Sequence, residues 1–91
     1  MNIAIVGFAT EGKISAEYFQ KRGNSITICD QDDSVVIPDG MSSQLGESYL
    51  DNLDRFDLIV RTAGVPPEKI LSANPGVAPK ITTAVNEFLK A

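Results

Sequence analysis

Histidine and tryptophan are absent from this chain, and cysteine occurs once, at Cys29. Without histidine no side chain titrates near neutral pH at its ordinary pKa, and neither a Ser/His nor a Cys/His pair for nucleophilic catalysis can be assembled. A lone cysteine excludes an intramolecular disulfide, and no metal-ligand spacing is present. Cys29 lies in an apolar run and reads as a small buried hydrophobe, in a chain expected in a reducing, cytoplasmic compartment. Basic residues are scarce too: eight Lys and Arg stand against twelve Asp and Glu, a net charge of −4. They form no cluster, which argues against a surface that tracks nucleic acid or an anionic membrane. No stretch approaches the roughly 20 apolar residues of a membrane-spanning helix. The first residues also lack the basic and long apolar regions of a signal peptide. Any phosphate bound here is expected to be held locally, by backbone amides.

What is present is the material of one small domain, residues 1–91, with 43% hydrophobic and 22% charged residues. Asn2 to Val6 is almost continuously apolar, as strands covered on both faces of a parallel sheet usually are. From about residue 12 to 22 the spacing turns helical, with Ile14, Tyr18 and Phe19 on one side and Gly23 as the stop. Ser25 to Asp30 reads as a second strand, completing a βαβ unit. Val35-Val36-Ile37 is broken by Pro38-Asp39-Gly40 and carries no clear period. A short third strand is expected near 41–44, a small helix over 47–53, and a fourth strand over 56–61. Pro66 or Pro67 then opens a helix that ends at Asn74-Pro75-Gly76. Residues 77–82 contain Pro79, so a strand there is short and at the sheet edge. Thr82 or Thr83 can cap a last helix over 84–90. The expected fold is α/β: a Rossmann-like three-layer domain with a four- or five-stranded, mainly parallel sheet.

In such a sheet the ligand lies beyond the carboxyl ends of the strands. The first strand ends in a G-x-x-x-x-G turn, Gly7 to Gly12, where a helix N-terminus offers unpaired amides and a positive dipole end to an anion. Ala9 stands where the dinucleotide fingerprint has its middle glycine, and Lys13 is followed by Ile14 rather than the Ser or Thr that a P-loop uses for Mg²⁺. Asp30, at the end of the second strand, stands close to the spacing at which an acidic residue meets a ribose. Thr62-Ala63-Gly64 follows the fourth strand and offers a hydroxyl and amides to the same crevice. Each of these three loops also fits plain turn chemistry and close helix–strand packing. An NAD(H)- or ADP-binding regulatory or oxidoreductase module is therefore one open reading.

The order I-A-I-V-G-F-A-T-E-G-K-I, then I-T-I-C-D, then D-L-I-V-R-T-A-G-V-P, then I-T-T-A-V-N-E-F-L resembles the N-terminal domain of Mur ligases along essentially the whole chain, most of all the branch that adds D-glutamate. The resemblance implies a Rossmann-like domain that holds the UDP part of a peptidoglycan precursor, UDP-N-acetylmuramoyl-L-alanine. Carried over by position, Thr10, Glu11 and Gly12 meet the diphosphate, Asp30 and Gln31 lie by the uracil and ribose, and Thr62, Ala63 and Gly64 complete the pocket wall. The chain departs from the family pattern at Ala9, where a second glycine is common, and at Gln31 and Asp32, where polar or basic residues often follow the strand-end Asp. The resemblance places no catalytic residue, metal or cofactor among these residues. It assigns ATP, Mg²⁺ and acyl-phosphate chemistry in the full-length ligase to central and C-terminal domains that this sequence lacks.

Overall fold

The computed structural model describes residues 1–62, 64–84, 86 and 87. Strands β1 (Asn2–Val6), β2 (Ser25–Asp30), β3 (Ser42–Leu45), β4 (Leu58–Arg61) and β5 (Ile81–Thr83) form one sheet in the order β3-β2-β1-β4-β5. All four pairings are parallel. Helix α1 (Thr10–Gln20) links β1 to β2, and α2 (Pro67–Ala73) follows β4. This is a Rossmann-like α/β fold with β1 at its centre, flanked by β2 on one side and β4 on the other.

Strand alternation divides the apolar side chains between two covered faces. Ile3 and Ile5 of β1 join Ile26, Ile28 and Val60 under Ala16 and Phe19 of α1. Ala4 and Val6 join Cys29 and Ile59 on the other face, beneath Tyr49, Leu50, Leu53, Phe56, Ile70 of α2 and Val77. Residues 3–6 are fully buried, so β1 has no solvent face on which a polar residue would be tolerated. Burial pushes the Cys29 thiol up to about 12, a rise only partly offset by the Arg55 charge. Cys29 is thus a neutral core residue at physiological pH.

The structure moves several expected boundaries. Helix α1 begins at Thr10 and ends at Gln20 rather than spanning 12–22, with Gly23 just beyond it at φ +87°. The small helix expected over 47–53 is two separate 3₁₀ turns, Gly46–Ser48 and Leu53–Arg55. Asn52 interrupts them with left-handed backbone at φ 56°, and the Leu53 amide donates to the Asn74 side chain (3.0 Å) instead of continuing a helix. Residues 56 and 57 precede β4 rather than belonging to it. Pro79 lies in a 3₁₀ segment, Pro75–Lys80, which reduces β5 to three residues at the sheet edge. Residues 35–37 form no element, but Val35 and Ile37 pack on the α1 side of the sheet while Val36 points outward. Most of the helix expected over 84–90 lies outside the described residues. Its start is marked by the Asn86 amide donating to the Thr83 hydroxyl at 3.2 Å, the bond an N-cap threonine makes. Among the described residues no helix is long and apolar enough to cross a membrane.

Candidate nucleotide crevice

The site is built by three chain segments pressed together at the carboxyl end of the sheet. Gly7 leaves β1 at φ +93° and its amide donates to the Cys29 carbonyl at 2.8 Å. A Cβ at Gly7 would land on the Thr62 hydroxyl, and a Cβ at Gly12 would land on the Gly7 carbonyl oxygen. Both glycines are therefore required by packing, whatever binds above them. Thr62 completes the knot: its amide (3.0 Å) and hydroxyl (3.1 Å) both donate to the Val6 carbonyl. That hydroxyl is buried and already donating inward, so Thr62 faces a ligand with little more than its shape.

Above the knot, α1 opens without a side-chain cap. Ala9 is the N-cap and supplies no hydrogen bond, and the first helical bond runs from the Lys13 amide to the Ala9 carbonyl at 3.0 Å. The amides of Thr10, Glu11 and Gly12 precede it and have no intrahelical partner, so the positive end of the helix dipole is concentrated there. Asp30 ties the end of β2 to this turn. One carboxylate oxygen accepts from the Phe8 amide (2.6 Å) and the other from the Asp32 amide (2.8 Å). Asp32 in turn accepts from the Ser34 hydroxyl and amide (2.6 and 2.9 Å), which lowers its carboxyl below the ordinary value.

These segments enclose a crevice of about 360 Å³ between the ends of β1, β2 and β4. Among the residues singled out from sequence, Glu11, Asp30, Gln31, Thr62 and Gly64 line it. Thr10 and Gly12 do not: Thr10 is exposed outside the wall and Gly12 is buried beneath it. Ala63 lies outside the described residues. Of the lining residues that the sequence does not single out, Phe8 and Val65 belong to the expected loops and two come from elsewhere. Tyr49 arrives from the 3₁₀ region on the far side of the sheet, and Lys69 from the first turn of α2, with its ammonium 5.4 Å from the Tyr49 ring centre. A tyrosine in a loop and a lysine on a short helix carry no spacing signal, and only the folded chain brings them together. Arg61 is not on the wall, since its guanidinium turns to the Val65 carbonyl at 3.5 Å. Lys13 is exposed, 5.9 Å from the Phe8 ring centre, and also off the wall. Among the described residues no cluster of three His, Cys, Asp or Glu is placed to hold a metal. The crevice offers a ligand unpaired amides, two carboxylates, one ammonium and two aromatic rings, Phe8 and Tyr49.

Fold and crevice together define a Rossmann-like α/β domain whose cleft opens at the point where strand order reverses, the place where such sheets take ligands. No family model matches the chain. It is similar to the UDP-N-acetylmuramoylalanine--D-glutamate ligase of Clostridium novyi (strain NT), at 27% identity over 99 aligned residues that cover 97% of this chain and 21% of the ligase. The chain thus spans about a fifth of the length of that curated relative, a likeness that supports a Mur-ligase-like relationship. In structure it is similar to the Kef CTD of Shewanella denitrificans, solved in its AMP-bound form, with a TM-score of 0.62 at 17% identity over 91% of this chain and 56% of that one. The second likeness is one of fold.

Proposed function

We propose that this chain is the UDP-sugar-seating module of a Mur-type ligase, with UDP-N-acetylmuramoyl-L-alanine as its ligand. The observation that carries the reading is the uncapped start of α1 opening into a crevice where three strand ends meet. The amides of Thr10, Glu11 and Gly12 hold the diphosphate through the backbone, which needs neither the exposed Thr10 side chain nor a wall position for Gly12. Gln31 meets the uracil or ribose. Asp30 holds the turn in place through Phe8 and turns its remaining lone pairs to the ribose. Gly64 closes the wall without bulk. The ATP, Mg²⁺ and acyl-phosphate chemistry of the ligase fall to residues outside this chain, a division supported by the fifth of the Clostridium novyi ligase that the chain matches.

An adenine-nucleotide module is the second reading, favoured by the AMP carried by the Shewanella denitrificans neighbour. Titration of the isotope-labelled chain with UDP, UDP-N-acetylmuramoyl-L-alanine, ADP and NADH separates the two. Amide shifts at Gly12, Asp30 and Gly64 with the uridine ligands are expected. Shifts with ADP or NADH alone would replace the first reading by the second, and silence with all four would overturn both.

A further inference from the structure

Lys69 is the one basic side chain on the crevice wall among the described residues, and nothing in the sequence motifs points to it. Its placement follows from α2. Pro67 presets the first helical turn, the Lys69 amide donates to the Pro66 carbonyl at 3.1 Å, and helical side chains lean toward the N-terminus of their helix. The ammonium is thereby carried back toward the loop after β4, over the Tyr49 ring. Three other cations near the sheet donate to oxygen, Lys80 to the Asp54 carbonyl (2.6 Å), Arg55 to the Gln44 amide oxygen (2.8 Å) and Arg61 to the Val65 carbonyl, while Lys13 lies off the wall against the Phe8 ring. Lys69 sits instead on a ring face, which steers an ammonium but accepts no conventional hydrogen bond from its three N–H donors. The crevice carboxylates are placed differently. Both oxygens of Asp30 receive backbone amides, and Glu11 sits in the first turn of α1, where the helix dipole favours a carboxylate. The cleft therefore presents one ammonium whose donors are not committed to oxygen.

We propose that Lys69, steered by Tyr49, is the side chain through which this crevice grips the diphosphate of its ligand, making it a site for nucleoside diphosphates rather than nucleosides. The proposal rests on the uridine-nucleotide reading above and adds a side-chain clamp to the α1 amides. The test compares UDP, inorganic pyrophosphate and uridine on the unsubstituted chain and on Lys69→Gln, Lys69→Arg and Lys13→Gln. Lys13→Gln removes the same charge from an exposed lysine beside a crevice ring but off the wall, so it controls for net charge. Losing a charge-assisted hydrogen bond in Lys69→Gln is expected to weaken UDP and pyrophosphate by about tenfold and leave uridine unchanged. Lys69→Arg is expected to recover most of that loss, and Lys13→Gln to have no effect. If UDP binds the unsubstituted chain but Lys69→Gln binds it equally well, or no more weakly than Lys13→Gln does, the clamp is wrong and the uridine reading stands. An equal loss for uridine would show Lys69 acting on the nucleoside, which also overturns the clamp. If the unsubstituted chain binds none of the three, the clamp falls together with the uridine reading.

Discussion

At Gly12 two preferences oppose each other. Inside a helix alanine is favoured over glycine by about 1 kcal/mol, so propensity alone makes Gly12→Ala stabilising. The added methyl, however, would fall on the Gly7 carbonyl oxygen, a main-chain atom whose own amide is fixed to Cys29. Overpacking of this kind costs roughly 1–3 kcal/mol when side chains can yield, and main chain yields less. Gly12→Ala is therefore expected to lose about 2 kcal/mol net in urea denaturation with an unchanged m-value. Gly76→Ala, where a Cβ meets nothing within 4 Å, is expected to stay within about 0.5 kcal/mol of the parent chain. A stabilised Gly12→Ala would mean that α1 can lift off the glycine turn. The same residue shows what single positions reveal in sequence. The G-x-x-x-x-G spacing placed the turn correctly but could not separate a ligand contact from helix–strand packing, because both demand a residue without a side chain. Gly7 and Gly12 are accounted for by packing with Thr62, and the binding claim moves to the amides above them.

Among the elements, the connection least legible in sequence is held by one side chain. Asn74 closes α2, and its position before Pro75-Gly76 reads simply as a helix stop. In the fold its side chain accepts from the Leu53 amide (3.0 Å) and donates to the Leu50 carbonyl (2.7 Å), joining α2 to the 3₁₀ region that carries Tyr49. These bonds are buried, so Asn74→Ala strands a buried N–H and a buried C=O, at about 1–3 kcal/mol each if no water replaces the amide. A loss of about 2–4 kcal/mol in chemical denaturation is expected, with Ser72→Ala, an exposed hydroxyl bonded within its own helix, nearly neutral. A neutral Asn74→Ala would show that the 3₁₀ region is held by Leu50, Leu53 and Phe56 packing alone. Strands β1, β2 and β4 were readable because burial on both faces demands near-continuous apolar residues. Residues 46–55 are not, because their geometry depends on Asn74, which bonds Leu53 and Leu50 from 21 and 24 positions away, and the short edge strand expected within 77–82 is present but begins only at Ile81, because Pro79 lies in the 3₁₀ segment before it.

For the whole molecule, the crevice is bounded by loops that follow β1, β2 and β4, so a ligand seated there bridges segments that separate when the domain unfolds. Binding to the native state alone stabilises it by RT ln(1 + [L]/Kd), about 2.7 kcal/mol at a hundredfold excess over Kd. A domain of this size shifts its midpoint by roughly 4–8 °C per kcal/mol. UDP at that excess is thus expected to raise the thermal midpoint by about 10–20 °C in calorimetry, while uridine at the same concentration, lacking the diphosphate for the α1 amides and Lys69, raises it less. At that fixed UDP concentration a tenfold weaker Lys69→Gln would keep about half of the stabilisation, because each tenfold in Kd is about 1.4 kcal/mol. The substitution itself removes an exposed lysine that contacts only a ring face, so its midpoint without ligand should stay near that of the parent. A shift equally large with uridine would mean that the diphosphate adds nothing to binding, and a Lys69→Gln chain that loses its midpoint before any ligand is added would place the work of Lys69 in the fold rather than in the cleft.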